Sequence, residues 1–334
     1  MNALDLHEEF LKALADKIPK KATLADTVAD LLKLEKDAAY RRLSGRVYFS
    51  LREAGILAAK LNLSLDRLLR EPQGRLWVPI TLAHPMRMRS MDSLYELSDA
   101  QMSPIARHIE RGDPVEAAAI YNTLPMELFM YSPNLTKFMF FKWGYYFVGT
   151  EEFDHYTSWE LPGNIRKLLL KMGEIYKFEK IYYIWDESLI GNLCREIYNF
   201  KMMNIISNEE KEKIISELKS TLYGLEKILN GTGNPNVPLA LETDFYVSSL
   251  HLGFTSSYFQ SGDEYFSLSF KTDFTFSLIE DRRENFENMK NWMDSFRNIS
   301  VLLSGSGPVE RRLFFEKQHR MIDRMLGLPD THSY

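Results

Sequence analysis

The chain has almost no cysteine: Cys194 stands alone in 334 residues, which excludes an internal disulfide framework and fits a reducing cytoplasm. Long apolar runs are missing too. The richest, Phe138 to Val148, is interrupted by Lys142 and falls well short of the roughly twenty residues a membrane-spanning helix needs. No basic-then-apolar leader opens the chain, because Asp5, Glu8 and Glu9 break up its start, so a cytoplasmic protein without a membrane partner is expected. The seven histidines are scattered with no metal-ligand spacing, and no Gly-x-Ser-x-Gly elbow occurs. Ser304-Gly305-Ser306-Gly307-Pro308 is a glycine-rich turn before a helix, but it lacks the lysine of a phosphate-gripping loop and the third glycine of a dinucleotide fingerprint. No catalytic residue, cofactor or metal is therefore expected. No segment of twenty to fifty residues repeats.

What the chain does have is a run of closely spaced helical signals near its start. Thr23 to Leu32 reads as a helix, with Thr23 as N-cap, Asp26 close to the orphan amides of the first turn, and Leu24, Val28, Leu31 and Leu32 on one buried face. Ala29 is small where another helix must cross closely, and Lys33-Leu34-Glu35 is short enough to set two helices at a steep angle. A second helix, Lys36 to Ser44, follows at once. Ala39 and Leu43 form its thin inward seam, and helical periodicity carries Asp37, Arg41 and Ser44 to the far side. Gly45 ends it as a C-terminal glycine. Upstream, Leu6 to Ile18 is amphipathic, with Phe10, Leu11, Leu14 and Ile18 as its stripe and Pro19 as its stop.

The run Val28-Ala29-Asp30-Leu31-Leu32, the helix end Arg42-Leu43-Ser44-Gly45 and the closing stretch from Ala58 to Leu69 together resemble the phage-repressor class of helix-turn-helix domains. The resemblance covers about the first seventy residues and is silent about the rest. Two positions depart from the family pattern: Lys33 sits where a turn glycine is usual, and Asn62 replaces another glycine after the fourth helix. The resemblance implies a five-helix DNA-binding domain over residues 1–72, double-stranded DNA as partner, and a bacterial or phage-like transcriptional regulator. It places Lys36, Asp37 and Arg41 at base edges. An arginine there takes guanine bidentately through O6 and N7, an aspartate accepts from a cytosine amino group, and Ala38 meets a thymine methyl. Arg42, Ser44, Arg46 and Tyr48 fall toward the phosphates, which position a protein without specifying sequence. A single head of this kind buries little DNA surface, so a homodimer on a pseudo-palindromic operator is expected.

Charge is distributed in agreement with that reading. Residues 1–70 carry 13 Lys plus Arg against 10 Asp plus Glu, a formal +3, whereas the whole chain is −5 and the remainder −8. A mildly basic head on an acidic body favours one docking orientation on DNA. His84, Arg87 and Arg89 either extend the basic footprint or form a polar linker.

The remainder reads as a connector over 73–90, a helical region over 91–230 and an α+β part over 239–330 that is either separate from the helical region or one unit with it. Helices are expected at Met91 to Arg111, Pro114 to Tyr121, Pro133 to Val148, Ile165 to Lys177, Asp186 to Met203 and Asn208 to Leu229. After the Gly-, Asn- and Pro-rich linker 230–238, aromatic and β-branched runs at Phe245 to Leu250, Gly253 to Phe259, Tyr265 to Phe270 and Asp273 to Leu278 suggest hairpins. A polar helix from Glu280 to Phe296, a strand from Ile299 to Leu303 and a last helix from Pro308 to Leu326 complete the chain. The fold class expected is thus multidomain and mainly α, ending in an antiparallel sheet with helices on one face. The aromatic cluster around Phe138 to Phe147, with Tyr182, Tyr183 and Trp185, serves as core, as an interface for self-association, or as a pocket for an unknown small-molecule or protein effector. Two other functions remain open: a protein-interaction adaptor using the same head, and an enzyme tethered to DNA.

Overall fold

The helical periodicity of the head and the aromatic-rich remainder belong to separate units, Met1–Val78 and Pro79–Tyr334. The structure, a computed structural model, describes residues 6–18, 21–61, 63, 65–68, 81–82, 90–175, 180–232, 242–262, 265–271, 277–280, 283–305 and 307–327. Of the connector expected over 73–90, residues 81–82 are instead a strand paired with 278–279 and Ser90 is described, while the rest, including His84, Arg87 and Arg89, lies outside those residues, as does Asn62.

The first unit holds five helices among its described residues: α1 (Leu6–Lys17), α2 (Lys21–Leu32), α3 (Lys36–Leu43), α4 (Leu51–Leu61) and α5 (Leu65–Leu68). Phe10 and Leu14 of α1, Leu24, Val28 and Ala29 of α2, Ala39 of α3 and Leu57 of α4 make a common core. Full burial of side chains of the Leu and Phe class stabilises by about 1.5–3 kcal/mol each, which is what ties such short helices together. Thr23 is not the N-cap. The helix begins two residues earlier, and the Thr23 carbonyl accepts from Thr27 Oγ1 at 2.8 Å inside it. At its other end the Leu34 amide reaches back to the Ala29 carbonyl (2.9 Å) while Lys33 turns left-handed at φ 54°. This is the closure that a glycine usually provides, so lysine occupies the turn with its geometry intact and bears the αL strain itself.

The second unit contains β1 (Thr81–Leu82), α6 (Met91–Glu110), β2 (Val115–Tyr121), α7 (Met126–Phe129), α8 (Pro133–Phe147), α9 (Gly163–Ile175), β3 (Lys180–Trp185), α10 (Gly191–Met202) and α11 (Asn208–Leu229). These are followed by β4 (Glu242–Val247), β5 (Thr255–Ser261), β6 (Tyr265–Lys271), β7 (Ser277–Glu280), α12 (Arg283–Asn298), β8 (Val301–Leu302) and α13 (Pro308–Leu326). The strands form one sheet in the order β1-β7-β6-β5-β2-β3-β4-β8. β2, β3 and β4 are mutually parallel and every other pairing is antiparallel. The parallel strands need long crossovers, and the helices α7 to α9 and α10 to α11 supply them.

Three expectations are corrected here. The sheet is mixed rather than antiparallel, and strands from the expected helical region and from the expected α+β region lie side by side in it. It is also covered on both faces. Residues of α6, α8 to α11 and α13 pack on Ala117, Ala119, Ile181, Tyr183, Trp185 and Phe245, while Phe286 and Met293 of α12 pack on Ala118, Ile120, Tyr182, Ile184 and Tyr258. Finally, Pro114 to Tyr121 is not a helix, since its residues from Val115 onward are β2, at the middle of the sheet. Ala117, Ala118 and Ala119 carry strong helix propensity, but short side chains are what the centre of this sheet requires. Their register partners are Ile181, Tyr182 and Tyr183 on β3 and Phe259, Tyr258 and Ser257 on β5, and alanine leaves room for the large rings among them on each face. Of the three roles open to the aromatic cluster, Phe138, Phe140, Phe141, Trp143, Tyr183 and Trp185 take that of core.

Candidate nucleic-acid interface

α3 presents the surface singled out by the sequence. Only Ala39 is fully buried along it, which leaves an eight-residue helix attached by a narrow seam. Lys36, Asp37, Tyr40 and Arg41 are exposed on its outer side, and Ser44, Gly45, Arg46, Val47 and Tyr48 continue that exposed surface through the following turn. Gly45 takes φ 72° there, a conformation that suits glycine.

Each expected contact residue has a definite setting. Lys36 Nζ lies 2.5 Å from Asp26 Oδ1 of α2, both side chains being more than half exposed, and the Asp26 carboxylate raises the lysine above its ordinary pKa through a hydrogen bond. Such an open pair contributes little to stability and exchanges readily for a phosphate or base. Asp37 and Arg41 are exposed, and Arg41, Arg46 and Arg52 enter no ion pair among the described residues. Ser44 Oγ donates to the Arg41 carbonyl at 3.1 Å. The Tyr48 ring meets His7 of α1 edge to face, with centroids 4.6 Å apart, leaving most of the tyrosine in solvent.

Arg42 differs from the others. Its Nε and Nη2 donate to Glu53 Oε1 at 3.1 and 2.8 Å, and its Nη1 donates to the Ala38 carbonyl at 3.2 Å. Both side chains are less than one-fifth exposed, so Arg42 joins α3 to α4 instead of reaching outward to phosphate. Glu53 completes a reciprocal cap: its Oε2 accepts from the Ser50 amide (2.8 Å) while its own amide donates to Ser50 Oγ (3.3 Å). Burial alone would raise the Glu53 pKa, but the hydrogen bonds from Arg42 and Ser50 outweigh it and hold the carboxyl below its usual range. The spacing Ser50-x-x-Glu53 was the sequence signal for this arrangement.

Two further exposed residues of the head were not singled out by the sequence. Tyr40 is 52% exposed one helical turn beyond Lys36, and Arg52 is exposed in the first turn of α4. The i, i+4 relation of Tyr40 to Lys36 was visible in the sequence and marks Tyr40 as part of the same outer face.

In the second unit two buried polar side chains, Asp186 and Arg311, are held by surrounding hydrogen bonds. At the carboxyl end of β3, Asp186 is only 2% exposed, yet both its oxygens are engaged. Oδ1 accepts from the amide and hydroxyl of Ser188 (2.8 and 2.5 Å), and Oδ2 accepts from the Leu252 amide at 2.6 Å and lies 3.1 Å from His251 Nδ1. Burial pushes this carboxyl up, the hydrogen bonds from Leu252 and Ser188 pull it further down, and the net position is below the ordinary aspartate value. The glycine-rich turn before α13 is held by buried Arg311, whose Nη1 donates to the Leu303 carbonyl at 2.7 Å and to the Leu229 carbonyl at 3.3 Å. The Cys194 thiol is buried, and that burial pushes its pKa up to about 12. Among the described residues no group of acidic, His and Cys side chains could hold a metal, and no helix is long and apolar enough to cross a membrane.

Comparison with known proteins gives no match to any family model, curated protein or solved structure. The functional reading therefore rests on the residues themselves.

Proposed function

We propose that the first unit is a helix-turn-helix head in which α2 and α3 are the paired helices, and that the chain is a sequence-specific, DNA-binding transcriptional regulator acting as a homodimer. The observation that carries this reading is α3: a short helix with a single buried residue, whose outer face presents Lys36, Asp37, Tyr40 and Arg41 to solvent. A helix of that width and polarity suits a major groove about 12 Å across. In this reading Arg41 and Asp37 meet base edges, and Lys36 exchanges Asp26 for DNA. Arg46, Tyr48 and Arg52 meet phosphates with Ser44 beside them, and Arg42 holds α3 at the angle the groove requires.

The test is selection of bound sites from random duplex DNA with the full chain, followed by fluorescence anisotropy on the selected site across a salt series. Two half-sites about one helical turn apart are expected. Arg46→Ala should lower the log–log salt slope by about 0.9, as loss of one phosphate contact does. Arg41→Ala should relax preference at one base position by about 1–3 kcal/mol with little change in slope. Absence of binding to any duplex at low salt overturns the proposal.

A further inference from the structure

An exposed apolar surface lies along the N-terminal half of α13. Val309 and Leu313 are half-exposed one turn apart on the helix, and Val301 of β8, 39% exposed, lines a groove with Leu313. Between α13 and the ends of β4 and β8 runs a groove of about 410 Å³, floored by Val247, Val301, Leu313 and Phe314. Its rim is charged but balanced, with Glu187 and Glu310 against Lys317 and Arg320. Contiguous exposed apolar surface rimmed by polar groups marks an interaction site. β8 is also the last strand of the sheet, where an incoming strand would otherwise add. That route is closed here, because Gly307 packs directly on the Leu302 carbonyl; a Cβ at that glycine would lie 2.4 Å from the oxygen. The surface on offer is therefore a helix face.

We infer that this face of α13, with Val301 beside it, is where a second copy of the chain docks, through antiparallel packing of the two α13 helices about a two-fold axis. The charge order along the helix selects that partner. Glu310 lies near the N-terminal end and makes no ion pair among the described residues, while Lys317, paired with Glu187, and Arg320, in an open pair with Glu316 at 3.1 Å that can be shared with a second carboxylate, lie toward the C-terminal end. A two-fold axis reverses one helix against the other, so like patches face each other in opposite order. With the axis near residue 315, Glu310 faces Arg320 of the second copy about 15 Å of helix rise from its own Arg320, and the pair occurs twice. The same register brings Lys317 of one copy to Leu313 of the other, where its methylene stem covers the leucine while its ammonium remains paired with Glu187, 2.7 Å away. A partner of one charge sign would meet repulsion from half the rim, whereas a second α13 sets Glu310 against Arg320 at both ends.

This inference deepens the regulator reading by naming the surface that pairs two reading heads, and it is tested without DNA. Sedimentation equilibrium of the full chain should show a concentration-dependent dimer. Leu313→Glu should raise the dimer dissociation constant at least tenfold, because the lesion occurs twice in an isologous contact. Far-ultraviolet circular dichroism verifies that the variant is folded. The register has its own test: Glu310→Arg and Arg320→Glu should each weaken the dimer, and the double variant should recover most of the loss. A wild-type chain that stays monomeric at 100 μM overturns the inference, and so does a charge swap whose double variant is as weak as the singles. A dimer that obeys the swap but binds no duplex leaves this surface standing and removes the regulator proposal. A monomer that still binds a half-site does the reverse.

Discussion

Replacing Arg42 by alanine separates the architecture of α3 from the DNA contacts proposed for it. Three hydrogen bonds end with the guanidinium: two to Glu53 Oε1, at 3.1 and 2.8 Å, and one to the Ala38 carbonyl at 3.2 Å. Glu53 keeps the Ser50 amide but loses the one cation paired with it among the described residues, in a site less than one-fifth exposed. Bonds to charged groups contribute about 1.5–3 kcal/mol in net terms, and the shallow position places the loss at about 2 kcal/mol. Converted at 1.36 kcal/mol per factor of ten, that is on the order of 30-fold faster amide exchange wherever α3 and α4 open together. Hydrogen-exchange mass spectrometry on the full chain reads this directly, with peptides from the second unit as an internal control. Arg41→Ala serves as the contrasting variant, since Arg41 is exposed and its loss should leave protection unchanged. Unaltered exchange in α3 and α4 after Arg42→Ala, accompanied by loss of salt-dependent DNA binding, would show that Arg42 is a phosphate contact and that the clamp assignment is mistaken.

Two other variants probe features of different kinds. Lys33→Gly removes a left-handed lysine at φ 54°, so the α2–α3 turn should gain about 1 kcal/mol in local protection, and slower exchange of neighbouring amides is the readout; loss of protection would mean that the lysine side chain has a stabilising contact. Asp186→Asn tests the buried carboxylate at the end of β3. Its folded pKa lies below the unfolded one, so its contribution is present above about pH 4 and disappears as the pH falls through the lowered native value. Urea denaturation at neutral pH should show the variant less stable by about 2 kcal/mol, with the gap closing toward pH 3. A gap of equal size at both pH values would refute the ionised-anchor account.

Much of the fold was readable from local pattern. The starts of α8 at Pro133 and of α13 at Pro308 follow from proline at the first helical position, and α11 follows from Ser207 and Glu210, which make the reciprocal cap. β2 was not readable, since nothing within Val115 to Tyr121 announces the two strands and two layers that surround it. The parallel order β2-β3-β4 escaped for a related reason: β3 is a six-residue aromatic run, and its partners lie far away along the chain. At the candidate interface, helical spacing identified the outer face of α3 correctly, down to the exposure of Asp37 and Arg41. It did not distinguish Arg42 from Arg41, because whether an arginine points outward or inward depends on what the next helix presents, and Glu53 is eleven residues away.

Where the chain can be cut follows from the strand at residues 81–82. Thr81 and Leu82 are paired with Ile279 and Leu278, and they lie well before α6, on the far side of undescribed chain from Ser90. A fragment that begins at Pro79 carries this short guard rail for β7. One trimmed to begin at Met91 lacks it, and leaves the amides and carbonyls of 277–280 free to recruit another molecule's backbone. Fragments made for crystallisation or for solution work should therefore start no later than Pro79, even though the first long helix begins twelve residues beyond it.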